Sequence, residues 1–264
     1  MAHEQQARFV AVVKRSLAGN LAGARVLEIG SYEVNGKIRA CFAECGTYVG
    51  VDLTEGPGVD LVGSGHELPF EDGYFDVTVS CECFEHNPFW AETFQNMIRM
   101  TRPGGLVLAT CASTGRIEHG TRRSFPQSSP GTLSSGLDYY RNLTQRDFER
   151  AVQLHDLFDV FRFYFVRTHN DLYFVGRTKA TGLLPLDLCE LDYQVVEIAK
   201  FREPQAVRPT IVGKALRSLY LMPVGVAARI LVDKRFQDFA LWFYGCSRWL
   251  KNALGLGSVG DGRP

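Results

Sequence analysis

The sequence lacks a net charge, a CxxC pair and an uncharged apolar run long enough to cross a membrane. Lysine and arginine together number 29, as do aspartate and glutamate, so overall charge does not favour a polyanionic partner such as nucleic acid. The seven cysteines are irregularly spaced, which predicts reduced, buried thiols in the cytoplasm and argues against a zinc site. The apolar stretch at 219–228 contains Pro223 and is too short to span a bilayer.

The N-terminal segment also lacks the apolar core of a signal peptide, and its charges lie within an amphipathic helical pattern. The chain is long enough for one large domain with an appendage. Its first half alternates strand-like and helix-like segments, which is typical of a parallel α/β sheet. Strands are predicted at "ARVLEIG", "TYVGVDL", "VDLVGS", "FDVTVSCECF" and, after a turn at "RPGG", at "GLVLATCA"; a helix is predicted at "NPFWAETFQNMIRMT".

After residue 112 the amino-acid composition changes. Residues 113–140 are rich in Ser, Gly, Thr and Pro, and an ordered loop of this length is more often functional than connective. A helix is predicted at "LTQRDFERAVQLH", with Thr144 as its N-cap. Two aromatic strands, "FDVFRFYFVRTHN" and "DLYFVGRTK", should pair antiparallel through a turn at Asn170-Asp171.

Residues 181–264 are predicted to form a separate C-terminal helical extension with a disordered end, following a domain at 1–180. From 205 to 264 there are nine Lys or Arg against three Asp or Glu, in one or two amphipathic helices. Three interpretations of 214–252 stay open: peripheral contact with an anionic membrane, a homodimer interface, or packing over the domain.

Ligands of open parallel sheets bind beyond the carboxyl ends of the strands, so chemistry is expected there. The first strand runs into "LEIGSYEVNG", which lacks the later glycines of a G-x-G-x-x-G loop and so disfavours a nicotinamide cofactor. Asp52, at the end of the second strand, is either a ribose-diol ligand or a turn residue. The pattern "HELPFEDGYFDVTVS" places the preceding residues beside the same pocket, where they can contact an adenine edge.

The order "VLEIGS…VGVDL…LPFEDGYFDVTVSCECFEH…RMTRPGGLVLAT" resembles that of class I S-adenosylmethionine-dependent methyltransferases of the methyltransferase type 11 kind. The resemblance implies a Rossmann-like, seven-stranded, mostly parallel sheet with an antiparallel last strand, and S-adenosyl-L-methionine as the cofactor. It implies that cofactor contacts come from eight residues: Glu28, Gly30 and Ser31 in the loop, Asp52 on the ribose, Ser64, Gly65 and His66 near adenine, and Glu82 at the fourth strand's end. Ser64 stands where most members carry an acidic residue.

The segment "SCECFEHNPFW" raises three alternatives. Glu82 lines the cofactor pocket while Glu85 and His86 cap a helix; or His86 is a general base for a hydroxyl acceptor; or Glu82, Glu85 and His86 hold a divalent metal. We assign no metal here and take His86 and, second, His119 as the catalytic candidates. His119 shares its segment with Arg116, Arg122, Arg123 and Tyr139-Tyr140, which form either a substrate lid or a solvated loop.

The sequence therefore predicts a cytoplasmic methyltransferase, either free or peripheral to the inner face of the membrane. Its acceptor is expected to be a small molecule or glycan methylated at a hydroxyl oxygen. The alternatives are an N-methyltransferase and a non-catalytic binding or scaffold protein of the same fold. Nucleic acid is disfavoured as a partner, because "HNPFW" lacks the second proline of an N-P-P-[YFW] motif and the chain has no overall basic charge.

Overall fold

The computed structural model describes residues 4–15, 21–34, 36–182, 188–200 and 211–253. Its strands are β1 Arg25–Ile29, β2 Thr47–Asp52, β3 Leu61–Val62, β4 Phe75–Cys81, β5 Thr101–Ala112, β6 Phe158–Val166 and β7 Asp171–Thr178. They form one sheet in the spatial order β3-β2-β1-β4-β5-β7-β6. β1 to β5 pair in parallel, whereas β7 lies antiparallel between β5 and β6. The mostly parallel seven-stranded sheet with an antiparallel last strand is thus confirmed.

The helices are α1 Glu4–Val13, α2 Trp90–Met100, α3 Pro130–Ser134, α4 Gln145–Ala151, α5 Leu154–Leu157, α6 Cys189–Lys200, α7 Ile211–Ile230 and α8 Asp233–Ala253. Successive strand residues point to opposite faces of the sheet, so each face builds its own apolar layer. Val26 packs in one layer with Phe9 of α1 and Leu191 of α6. Leu27 packs in the other layer with Phe94 of α2 and with α4.

The connection from β1 to β2 spans residues 30–46. Asn35 lies outside the described residues, and the described part of the connection contains only the short 3₁₀ turn Arg39–Phe42. Ile38 and Phe42 are buried and anchor this turn against the sheet. The chain therefore reaches β2 by a compact loop.

The "RPGG" segment, predicted as a turn before the fifth strand, lies inside the bounds of β5. Gly104 there has a φ of +76°, and the pairing of β5 with β4 shifts between Phe75 and Val77. A glycine with positive φ beside a register shift is typical of a bulge. The segment is a distortion within the strand.

The C-terminal helices make two kinds of contact. α6 joins the apolar layer beneath the sheet through Leu191, Val195 and Ile198. α7 and α8 pack on each other around Phe236 and Ala240, and Ile117 lies against this small core. None of the helices in the described ranges is both long and apolar enough to cross a lipid bilayer. The predicted disordered end lies outside the described residues.

Candidate active site

A pocket lies beyond the carboxyl ends of β1, β2 and β4, where the strand order reverses. Its empty volume, counting the open solvent at its mouth, is about 760 Å³. The sheet side contributes Ile29, Gly30, Tyr32, Val34, Val51, Asp52, Leu53, Gly63, Ser64, Gly65, Glu82, Cys83, His86, Asn87 and Phe89. The opposite side comes from residues 113–142, here called the cover loop, through Ser128, Ser129, Pro130, Gly131, Thr132 and Leu137.

Gly30 makes the turn out of β1. Its φ is +81°, and a Cβ on this residue would lie 2.6 Å from the Cβ of Cys83, so both the backbone conformation and the space require glycine. Tyr32 then lines the pocket, whereas Glu28 and Ser31 do not. Ser31 is buried. The loop thus reaches the pocket through Gly30 and Tyr32.

Glu28 points away from the pocket lining. The Tyr48 hydroxyl donates a hydrogen bond of 2.5 Å to Glu28 Oε2. Burial raises the pKa of Glu28 to about 7, while the Tyr48 hydrogen bond opposes the shift. Any effect of Glu28 on a ligand would therefore act through the loop that follows β1.

Asp52 sits at the end of β2 with both carboxylate oxygens engaged. Oδ2 accepts from the Tyr32 backbone N–H at 3.1 Å, and Oδ1 accepts from the Leu53 N–H at 2.7 Å. Burial raises the pKa of this carboxyl, and the two backbone hydrogen bonds oppose that shift. Because each oxygen has a second lone pair, the carboxylate can still accept hydrogen bonds from a ligand diol.

Ser64 and Gly65 line the pocket, and His66 stands just behind them. Ser64 Oγ and His66 Nδ1 are hydrogen-bonded at 2.7 Å. The His66 ring stacks on the ring of Phe89, with 4.3 Å between centroids. Phe89 itself lines the pocket, so this side of the site presents a flat aromatic surface next to small polar groups.

Glu82 follows β4 with a φ of +52°, a conformation that non-glycine residues rarely adopt. Its Oε1 accepts a 2.6 Å hydrogen bond from Gln6 Nε2 on α1, and its Oε2 lies 3.9 Å from Arg116 Nη2. The N-terminal helix therefore helps to hold a carboxylate that faces the pocket. Strain of this kind is common at functional sites.

The charges of the lining discriminate between cofactor classes. Asp52 and Glu82 supply carboxylates, and no lysine or arginine is among the described residues that line the pocket. Such a site attracts cations and disfavours phosphates. S-adenosylmethionine carries a sulfonium and an ammonium group and no phosphate, so these residues fit it, whereas a dinucleotide pyrophosphate has no cationic partner here.

Of the two predicted catalytic histidines, His86 lines the pocket, whereas His119 is not among the lining residues and packs against His86. The His86 ring is 5.0 Å from that of His119 and 5.4 Å from that of Tyr140, measured between centroids. Burial lowers the pKa of His86 well below its usual value, and burial together with the charge of Arg116 lowers the pKa of His119 to about 4. Both imidazoles are therefore neutral at physiological pH.

The cover loop closes the pocket from above, and α8 holds it there. A Cβ on Gly131 would lie 2.7 Å from Asp52 Oδ1, so the loop backbone rests against this carboxylate. Gln237 of α8 accepts from the Glu118 N–H at 2.8 Å and donates to the Arg116 carbonyl at 2.9 Å. The segment of His119, Arg116 and Tyr140 is thus an ordered part of the site.

Sequence reasoning did not identify Asn87, Phe89, Gln6 or the contact of Ser128–Thr132 with the pocket. For Gln6 a signal exists: Gln5 and Gln6 are polar residues on the buried part of an amphipathic helix. Phe89 belongs to the apolar pattern that predicts the helix at "NPFWAETFQNMIRMT", and that pattern carries no signal for a ligand. The cover-loop contact depends on long-range packing and has no local signature.

The sheet order and this pocket define a class I methyltransferase fold. Residues 27–109 match the family model described as a methyltransferase domain. The predicted resemblance to S-adenosylmethionine-dependent methyltransferases is therefore confirmed over this segment, and the charges of the pocket lining fit S-adenosylmethionine as the cofactor.

Two curated relatives illustrate the match. An uncharacterized methyltransferase of Mycobacterium sp. (strain JLS) is 38% identical over 97 residues, which cover 33% of this chain and 38% of that protein. Phthiotriol/phenolphthiotriol dimycocerosates methyltransferase 1 of Mycobacterium ulcerans (strain Agy99) is 32% identical over 103 residues, covering 34% and 38%. The chain thus spans 38% of the length of each of these relatives.

Among solved structures, phosphoethanolamine N-methyltransferase 2 of Haemonchus contortus with S-adenosyl-L-methionine is similar with a TM-score of 0.48 and 19% identity, covering 66% of this chain and 52% of that one. The [4+2]-cyclase SpnF has a TM-score of 0.47 and 12% identity, with 66% and 81% covered.

Proposed function

We propose that this chain is an S-adenosylmethionine-dependent methyltransferase that methylates a hydroxyl oxygen of a small molecule or glycan. The observation that carries the proposal is a pocket whose described lining has two carboxylates, no lysine or arginine, and one neutral histidine, His86, against which His119 packs. The acidic part suits a cationic cofactor, and the histidines suit an acceptor that must lose a proton.

Asp52 would hold the cofactor ribose, and Gly30 with Tyr32 would shape the turn past its amino-acid part. Ser64 and Gly65, backed by the His66–Phe89 stack, would contact adenine. The cofactor supplies an electrophilic methyl group, so the protein's main task is to place the acceptor in line with it and close to it. The cover loop would exclude water from this space, since it lies across the pocket mouth.

His86 is the residue we propose to receive the acceptor proton, at Nδ1. This nitrogen is buried and has no hydrogen-bond partner, and the lowered pKa keeps the imidazole in its neutral form. His119 would orient the acceptor from the cover loop. A hydroxyl acceptor benefits from such a base more than an amine that is already neutral.

We also propose that the protein is cytoplasmic and binds an anionic membrane surface peripherally. The contact would be made by the helical hairpin formed by α7 and α8. Large apolar side chains of α7 are exposed at a helical spacing: Leu219, Met222, Val226 and Ile230. Arg229, Lys234 and Arg235 are exposed next to them. An apolar stripe flanked by cations is typical of interfacial helices. Occlusion of the same stripe by a second copy of the chain is the alternative.

Isothermal calorimetry with S-adenosylmethionine and S-adenosylhomocysteine tests the proposal. We expect binding by the intact chain, at least about tenfold weaker binding for Asp52→Ala, and nearly unchanged affinity for His86→Ala, because Asp52 is assigned to the cofactor and His86 to the acceptor. Turnover should fall in both variants. Absence of heat with either ligand in the wild-type chain would refute the enzyme assignment, and binding without turnover on any hydroxyl acceptor would favour a binding protein.

A further inference from the structure

Glu85 is an unexplained buried carboxyl beside the histidine pair. Its side chain is fully inaccessible to solvent, and neither carboxylate oxygen has a hydrogen-bond partner. Buried carboxyl groups normally have partners, since leaving one unpaired costs several kcal/mol. Something outside the chain itself is the natural partner for this group.

Two imidazoles present unused lone pairs to the same space. One potential ligand atom from each of Glu85, His86 and His119 lies within 4.8 Å of the other two. His86 Nδ1 has no partner in the structure. His119 uses Nδ1 for a 3.1 Å hydrogen bond with the Ile117 carbonyl, which leaves Nε2 for another partner.

The His119 ring is fixed by the backbone, because one of its nitrogens, Nδ1, pairs with the Ile117 carbonyl. The other nitrogen of this imidazole is then left for the cluster. This is the arrangement found around metal-bound histidines, where the second nitrogen donates to a carbonyl or carboxylate and so fixes the tautomer and the ring orientation. Packing of the ring against Tyr140 would not by itself require a fixed tautomer.

We propose that Glu85, His86 and His119 bind a divalent first-row transition metal, with Zn²⁺ the best match. Two imidazoles and one carboxylate are a frequent catalytic ligand set for zinc, which keeps a fourth position open for water or substrate. Metal–ligand bonds of about 2.0–2.2 Å place ligand atoms roughly 3.4 Å apart, so the cluster must contract by on the order of 1 Å. Glu82 is not part of the set, because Gln6 and Arg116 hold it.

The proposed metal site follows from the geometry of its three ligands alone. Its role in deprotonating the acceptor rests on the proposed function. An acceptor hydroxyl would occupy the open position of the ion next to the cofactor pocket, which His86 also lines. A hydroxyl bound to the ion loses its proton to solvent more readily, because the positive charge stabilises the oxyanion. In the metal-loaded protein the imidazoles would hold the ion, which then replaces His86 as the group that favours deprotonation.

Cobalt titration of the full-length chain, after dialysis against a chelator, tests the site with the metal alone as the probe. We expect one equivalent of Co²⁺ to bind with a visible absorption band, and Zn²⁺ to displace it. Glu85→Gln and His119→Ala should each weaken binding by at least about tenfold, in line with the loss of a ligand. His155→Ala removes an exposed histidine of α5 and should leave the titration unchanged.

No Co²⁺ or Zn²⁺ binding by the wild-type chain would overturn the inference, as would equal binding by Glu85→Gln and His119→Ala. Circular dichroism of the variants establishes that lost binding is not lost folding, and Glu85→Gln keeps the side-chain volume for this reason. Calorimetry with S-adenosylhomocysteine on the chelated protein separates the two proposals. If the cofactor binds and the metal does not, the metal site fails alone; if the metal binds and the cofactor does not, the methyltransferase proposal fails alone.

Discussion

The buried carboxyl of Glu28, on β1, makes the stability of the fold depend on pH. Its side chain is 6% exposed, it faces Tyr48, and Arg39 contributes a weaker attraction from further away. Desolvation outweighs both, so the folded protein holds the Glu28 proton up to a pKa of about 7, compared with 4.5 for an unperturbed glutamate. The neutral form is therefore favoured in the fold.

We expect this group to make the ligand-free protein less stable as the pH rises from about 5 to about 7. In that range the folded chain binds more protons at Glu28 than the unfolded chain does, so the free energy of unfolding falls with rising pH. The shift from 4.5 to about 7 corresponds to about 3 kcal/mol over the whole range. Urea unfolding at pH 5, 6 and 7 measures the slope, and Glu28→Gln should remove it.

Glu71→Gln is the matched control, because Glu71 is exposed and its substitution should leave the slope as in the wild type. Parallel pH profiles for the wild type and Glu28→Gln would contradict the assignment. The comparison of variants also removes the contribution of other titrating groups, because each variant differs from the wild type only at the substituted glutamate.

Individual residues of the site differ in how far sequence can identify them. The sequence identifies Asp52, Glu82 and Gly30 as site residues because each follows a strand with a strong apolar pattern. The carboxyl ends of parallel strands lie at the same edge of a sheet. His86 and His119 were each named from their residue type, but their 5.0 Å ring contact depends on how the cover loop folds back. The unpaired state of Glu85 has no sequence signal at all.

At the scale of elements, the cover loop and α8 behave as one unit. Asp233 Oδ2 accepts from the Asn142 N–H at 3.1 Å, and Arg123 donates to Asp238 at 2.8 Å. Gln237, which is 2% exposed, adds the two buried bonds to the loop backbone described above. The helix that follows the domain in sequence thus positions the loop that carries His119.

We expect Gln237→Ala to loosen this loop. The substitution leaves the buried Glu118 N–H without its acceptor, which costs about 1–3 kcal/mol. Hydrogen exchange of the 113–142 amides, followed by mass spectrometry, should be faster in this variant, while the β1 and β4 amides keep their protection. Gln145→Ala, at an exposed position on α4, is the control. Unchanged exchange in 113–142 would mean that α8 does not restrain the loop.

Local patterns predicted elements well where the signal is short-range. Thr144 begins α4 as predicted, and its backbone N–H donates to Asp147 Oδ2 at 2.8 Å in a capping box. The "RPGG" turn prediction failed because proline and glycine mark both turns and bulges, and only pairing with β4 decides between them.

On the scale of the whole molecule, the chain combines the sheet with a helical hairpin formed by α7 and α8. One side of this hairpin packs against the protein and the other side is exposed to solvent. The inner side of the hairpin packs through Val224, Ala227 and Phe236 and reaches Ile117. The outer side leaves Met222 58% and Ile230 74% exposed. Inner packing therefore leaves large apolar side chains of the hairpin uncovered, and these need a separate explanation.

We expect the full-length chain to sediment with vesicles that contain phosphatidylglycerol and much less with vesicles of phosphatidylcholine alone, because the exposed stripe is flanked by Arg229, Lys234 and Arg235. Added salt should weaken the binding, since the attraction is partly electrostatic. The double variant Met222→Ser, Ile230→Ser should lose binding, whereas Phe165→Ser, which removes an exposed aromatic of β6, should not. The result would instead assign the stripe to self-association if the wild-type chain binds neither kind of vesicle and forms a dimer. In that case the double variant should be monomeric.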